Sequence, residues 1–356
     1  MYSGRTLILA ALLALMALLA GCGGGGGSSN TVTNQTTYSL ADMNGVWSSH
    51  ELVAGDSASS SQAYSSQTVD SNGRAAYAEY FRNGIASSAA YTNYSGIKLS
   101  STGTYSTKNA TTNGVMSSNK NILVSTYTTS QSYALTVKMK KPTACTTADL
   151  AGNWTYHLAY AGDGTGANGW QHGTAVVDSA GVGTLTIAGS SSGVTGSQTL
   201  TYVVASDGTM TVPAIPAYHG AINTDKNIMV WVNTVDAVNK IYSAGIAVKA
   251  GTTFTQSDLA GSWTWHDLYV GDGSNKWLYG DSTIDSSGNV SFSTTSWSDG
   301  ITALATSSAL AVSSTGIITS PAASSLHGVI SPDKNLIIIT SGASGQPTTL
   351  IVGVKR

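Results

Sequence analysis

Glutamate is nearly missing from this chain: Glu51 and Glu79 are the only two in 356 residues. A glycosidase-type carboxylate pair beyond the first third of the sequence would have to be built from aspartates. Most of those aspartates sit in turn motifs. Cysteine is equally scarce, with Cys22 and Cys145 alone, so no paired-cysteine metal motif exists. Charged residues make up 10% of the chain, the formal net charge is −2, and lysine and arginine never cluster. That distribution excludes nucleic acid as a partner. No helical periodicity appears after the first twenty or so residues. "GTGANG" from Gly164 therefore has no helix to receive a pyrophosphate, and "GSSSG" from Gly189 has no strand-to-helix elbow.

What remains is a chain of Val, Ile, Thr, Tyr and Trp in short runs broken by Gly, Asn and Asp. This is the composition of an all-β protein. The pattern also repeats. Trp47, Trp154 and Trp263 are spaced by 107 and 109 residues, each inside a Gly-x-Trp opened by Gly45, Gly152 or Gly261. "VDSNG", "VDSAG" and "IDSSG" follow at Val69, Val177 and Ile284. "SSNKNILV", "NTDKNIMV" and "SPDKNLII" begin at Ser117, Asn223 and Ser331, and each copy ends on an alternating apolar strand closed by lysine. Asp-Ser-x-Gly and Asp-Lys-Asn lie between β-rich runs, where hairpin turns need residues that tolerate positive φ. The reading is three tandem antiparallel modules of seven or eight strands, barrels or sandwiches, over 38–144, 145–251 and 252–356.

The first 21 residues carry Arg5 and an apolar run from Leu7 to Ala20, the layout of a secretory signal. The run ends in Leu19-Ala20-Gly21-Cys22, which resembles the lipobox of bacterial lipoproteins. The resemblance implies cleavage before Cys22, lipid on that residue, and a tether over 22–37. It also implies retention at the outer membrane, because Gly23 stands where inner-membrane retention calls for Asp. With Cys22 lipidated, Cys145 would have no partner for an intramolecular disulfide. An outer-membrane barrel is the weaker alternative, since "LIVGVKR" lacks a terminal aromatic. The Gly-x-Trp openings resemble the first-strand motif of the calycin group, the lipocalins, avidins and their bacterial relatives. That resemblance implies a Trp plugging one end of each barrel, with a last-strand basic residue over its ring. Lys138 or Lys140, Lys249 and Lys355 match that role.

His50, His157 and His266 each follow the repeat Trp by three residues. Residues three apart on a strand face opposite ways, so these rings point away from any lumen. They are expected to hydrogen-bond a neighbouring strand or to mark an interface between successive modules, and no metal set is expected. His219 and His327 also correspond to one another, with Asn113 at that place in the first copy. Asp56, Asp163 and Asp272 lie in loops too poor in carboxylates for calcium and read as turn caps. Trp170 and Trp277, with Tyr64 in the same region of the first copy, are the candidate ligand contacts, where an indole stacks on a sugar or an apolar ring.

The expectation is a non-catalytic envelope lipoprotein binding a small apolar or sugar-like ligand, with no cofactor and with the membrane reached through its lipid. A structural scaffold contacting other envelope proteins is the alternative, and an Asp-dependent hydrolase a distant one. Hollow modules favour binding, and modules filled by Trp and Tyr favour a scaffold. Cys22→Ala is expected to move the protein from the membrane to the soluble fraction on fractionation.

Overall fold

The structure, a computed structural model, describes residues 36–55, 60–86, 94–108, 112–129, 132–162, 168–251, 253–271, 275–299, 308–342 and 347–356. Cys22, Asp56, Asp163 and Asp272 lie outside them. From Thr36 to Arg356 the chain is one compact unit holding three antiparallel sheets, one per repeat.

The second module shows the plan. Its opening strand, Gly152–Gly162, pairs on one side with Gly169–Val177 and on the other with the last strand, Ile241–Lys249. One arm of the sheet runs on through Val182–Ser190 to Gly196–Thr201. The other runs through Ile228–Asp236, Ile215–Ile222 and Thr209–Val212 to Val203–Val204. Only Tyr202 separates the two far ends, and its N–H donates to the Gly181 carbonyl at 2.8 Å. The ladder thus closes on itself through one bent strand, giving a barrel of eight staves whose closure rests on the short pairing of Val203–Val204 with Met210 and Thr211. Leu310 stands at the same seam of the third module, between Ser308–Ala309 and Ala311–Val312, and donates to Gly288 at 2.9 Å. In the first module Tyr94–Ser95 and Lys98–Leu99 flank it. Of the two architectures compatible with the sequence, the barrel is the one formed.

Each barrel is plugged in the same way. Trp47, Trp154 and Trp263 are buried, and their indole N–H groups donate to the carbonyls of Met43, Leu150 and Leu259 at 2.7, 2.8 and 2.7 Å. Those carbonyls belong to a single 3-10 turn before each opening strand. The ammonium groups of Lys140, Lys249 and Lys355 lie 5.7, 5.4 and 5.4 Å from the indole centroids. A cation over an indole contributes about 0.5–2 kcal/mol, depending on desolvation. Lys140, rather than Lys138, fills this place in the first module. The glycine of Gly-x-Trp follows from the same packing. Gly45, Gly152 and Gly261 have φ of +132°, +136° and +137°, and a Cβ there would meet the lysine Cε at 2.8–2.9 Å. The Asp-Ser-x-Gly motifs are turns too: Asp70, Asp178 and Asp285 each accept N–H bonds two and four residues on, at 2.9 Å.

The outward faces of the opening, penultimate and last strands are apolar as well, and the modules bury them against one another. Leu52, Ala159 and Leu268 from the three opening strands join Val137, Ile246 and Val352 from the last strands in one shared core. The packing is head-to-tail. The opening and second strands of module 1 lie on the penultimate and last strands of module 2. Module 2 lies likewise on module 3, and module 3 on module 1. A heterologous contact of this kind closes into a ring, here a ring of three with the opening strands touching at its centre.

All six histidines of the chain fall on these seams. Between modules 1 and 2, the His219 ring stacks on Tyr64 and Phe81 at 5.4 and 4.2 Å, and His50 packs 5.2 Å from Tyr64. Between modules 2 and 3, His172 stacks on His157 and His327 at 5.6 and 4.2 Å, and His157 Nδ1 is 2.9 Å from Thr340 Oγ1. Between modules 3 and 1, His266 Nδ1 is 3.2 Å from Thr126 Oγ1. Burial is the main cause of low basicity in each ring, and neighbouring His, Lys or Arg charges add to it. His50, His157 and His266 are pushed down to about 3 and His172 to about 4, while His219 and His327 are also lowered.

Neutral rings in the fold mean that the unfolded chain binds more protons below its own histidine pKa of about 6.5. Stability is therefore expected to be full above pH 6.5 and to fall as the pH drops towards 4. The three most buried rings together would contribute up to ~4 kcal/mol per pH unit. Urea unfolding midpoints measured between pH 4 and 8 check this. A profile flat through that range would contradict it.

Candidate ligand cavity in the first barrel

The three lumens differ because the same positions carry different side chains. In module 2, Trp231 faces its cross-strand partner Gly245 so closely that a Cβ on the glycine would meet the indole at 2.1 Å. In module 3, Trp265 lies over Gly353 with the corresponding approach at 2.5 Å. Aromatic rings over glycines occupy both lumens, with Tyr156, Met229, Ile337 and Ile339 beside them, and module 2 keeps a cavity of about 380 Å3 bordered by Tyr160, Gln171, Ile187 and Gln198. In module 1 the register of Trp231 and Gly245 is held by Ser125 and Thr136, and that of Trp265 and Gly353 by Ser49 and Lys138. Small hydroxyl side chains cannot fill the space, and a cavity of about 470 Å3 results.

Aromatic faces and polar groups share the lining of this cavity. Five tyrosines border it (Tyr64, Tyr77, Tyr80, Tyr105 and Tyr127), together with serines, threonines, Gln67, Glu51 and Lys138. The Tyr127 hydroxyl donates to Glu51 Oε2 at 2.5 Å and the Thr136 hydroxyl to the same oxygen at 3.3 Å. Burial, reinforced by the Glu51 charge, pushes Tyr127 well above the usual phenol range, so it stays a donor. Lys138 Nζ donates to Tyr105 Oη at 3.3 Å and lies 5.4 Å from that ring's centroid. Burial alone would lower its pKa, but Tyr105, Tyr77 and Glu51 outweigh that and hold it above the ordinary lysine value. Lys138 is therefore a full cation at neutral pH.

The residues singled out from sequence fall elsewhere, or only partly here. Trp170 is buried at the seam between modules 2 and 3, where its indole N–H donates to the Gly342 carbonyl at 3.0 Å and its ring stacks on His172 and lies tilted against His327. Trp277 occupies the matching place between modules 3 and 1 and donates to Thr128 Oγ1 at 2.8 Å. Their counterpart by register in module 1 is Gln62, 3.4 Å from Thr234 Oγ1, and not Tyr64. Tyr64 corresponds instead to His172 and Tyr279; it sits in the seam between modules 1 and 2 and also borders the cavity. Trp170 borders a second cavity of about 380 Å3 with Tyr160, Gln171, Gln198 and Ile241. Trp277 lines neither.

The residues missed by sequence reasoning are Ser49, Gln67, Tyr105, Ser125, Tyr127 and Lys138. For Ser49 and Ser125 the signal lay in the repeat itself, where the other copies carry Tyr156 and Trp265, or Trp231 and Ile339; Gln67, Tyr127 and Lys138 instead replace smaller residues of the other copies.

No family model and no curated protein matches the chain. A solved protein of unknown function from the DUF3598 family of Nostoc punctiforme is 9% identical over 60% of this chain and 98% of its own, at a TM-score of 0.21. Transferrin binding protein B of Haemophilus parasuis is 7% identical over 87% of this chain and 75% of its own, at 0.28. Transferrin binding protein B of Neisseria meningitidis is 7% identical over 83% and 63%, also at 0.28. Likenesses this distant carry no functional argument.

Trp277→Ala removes a buried ring and leaves Thr128 without its donor. It is expected to destabilise the fold by ~3–5 kcal/mol, measured as the change in unfolding free energy in urea.

Proposed function

We propose that this chain is a non-catalytic binding protein of the bacterial cell envelope. Lipid on Cys22 holds it to the outer membrane, the first barrel takes a small sugar-like ligand, and the second and third barrels are its scaffold. The observation that carries the reading is the contrast between lumens: the second and third carry an indole over glycine, whereas the first has Ser49 and Ser125 in place of those indoles and a cavity larger than the one in module 2. Its 470 Å3 falls within the range of about 300–1,000 Å3 found for small-molecule sites. Tyrosine faces and a rim of hydroxyl, amide and charged groups suit a polyhydroxylated molecule, whose faces are apolar and whose edges hydrogen-bond. The polar groups in that lining favour a sugar-like ligand over an apolar one.

The scaffold role and the binding role are here divided between modules. Hydrolysis by a carboxylate pair has little support, because Glu51 is the one acidic residue lining the cavity and Tyr127 and Thr136 engage it.

The repeat supplies its own test. Ser125→Trp with Thr136→Gly installs in module 1 the indole-over-glycine pair that module 2 already accommodates. The double variant is expected to keep its melting temperature within a few degrees and to lose uptake of a monosaccharide panel in isothermal titration calorimetry. Uptake unchanged in a folded variant would place the ligand outside this cavity.

A further inference from the structure

Two opposite charges lie side by side on one wall of the cavity without meeting. Glu51 is the cross-strand partner of Thr136, and Ser49 that of Lys138, so the two are diagonal neighbours on adjacent strands. Diagonal positions lie about 7–8 Å apart, a span that two long side chains easily bridge. No ion pair joins them within 4.0 Å. Each is turned instead towards its own tyrosine, Glu51 to Tyr127 and Lys138 to Tyr105. Each charge is engaged by its own tyrosine, and among the described residues Glu51 Oε1 and two ammonium hydrogens of Lys138 have no hydrogen-bond partner.

A third group points the same way. Gln67 is 1% exposed, lines the cavity, and has no hydrogen-bond partner for Nε2. An unpaired buried amide donor is destabilising, and an acceptor supplied by a ligand removes that cost. Gln67 is the cross-strand partner of Tyr77, which lies near enough to Lys138 to act on its charge. The donors in want of an acceptor are thus on the lysine side, and the acceptor in want of a donor is on the glutamate side.

We infer that the first barrel recognises a zwitterion: an amino sugar bearing a carboxylate, whose anionic end takes Lys138 and Gln67 and whose ammonium takes Glu51. This rests on the cavity being a sugar-like site and names the charge pattern of its ligand. A neutral sugar would leave both charges desolvated and unanswered. A ligand of one sign would answer one and bury the other, which is the costlier outcome.

Four probes separate the contributions, titrated calorimetrically into the full chain at pH 7: glucose (neutral), glucosamine (cation), glucuronate (anion) and muramic acid (both charges). Muramic acid is expected to bind at least tenfold more tightly than any of the other three. Lys138→Met should cost muramic acid its advantage over glucosamine, and Glu51→Gln its advantage over glucuronate. Equal binding of glucose and muramic acid to the unmutated protein would overturn the zwitterion inference and leave the cavity reading standing. Absence of binding by all four would overturn the inference, and the same absence across the wider monosaccharide panel would overturn the cavity reading too. The ranking on the unmutated chain decides the matter even if a variant fails to fold.

Discussion

Both faces of the penultimate and last strands are buried in every module, one against the lumen and one against the neighbouring module. Ile122–Thr129, Ile228–Asp236 and Leu336–Ser341 accordingly open on unbroken apolar runs, Ile-Leu-Val, Ile-Met-Val-Trp-Val and Leu-Ile-Ile-Ile, that do not alternate. This double burial is the constraint from which the rest follows. It forces the modules into contact, fixes which strands touch, and leaves polar side chains to the far staves, the mouths and any lumen that is not filled. The histidines, semi-polar and planar, sit where two such sheets must be fitted together by stacking.

Much of this was legible in the chain. The period of the Gly-x-Trp motif, the turns at Asp70, Asp178 and Asp285, and the terminal lysines have direct physical causes, and each appears where the sequence places it. That His157 points away from the lumen follows from the parity of a strand. The ring closure was less legible, because the bent strand around Tyr202 reads as two short segments with a buried residue between them. The head-to-tail packing could have been suspected from "NKNILV", "DKNIMVWV" and "DKNLIII", whose unbroken apolar runs mean burial on both faces.

The candidate site was legible only by comparison within the chain. Trp170 and Trp277 draw attention as large residues after a loop, yet they lie at seams because a seam, like a ligand pocket, wants a flat ring with one polar atom. A cavity is the opposite kind of signal. Ser125 and Ser49 are unremarked in isolation, and they matter only because Trp231 and Trp265 stand in the corresponding positions elsewhere. Tyr127 and Tyr105 then engage the two charges of the space, Glu51 and Lys138, one each. Alignment of the copies against one another, lumen position by lumen position, separates the two lumens that carry an indole over glycine from the one that carries serines in place of those indoles.

The head-to-tail ring has a further consequence for the chain as a linear object. Two of its three seams are reinforced by a short peptide connection, around "KKPTAC" and "KAGTTF", and the third is closed by side chains alone. The contacts at that third seam, His266 to Thr126 and Trp277 to Thr128, are of the same kind as at the others. Structurally the assembly has no beginning, and the numbering of its modules records only where the backbone happens to be cut. A chain permuted to start at the second or third repeat would present the same circle of interfaces, with the receptive barrel moved to a different place in the order of synthesis.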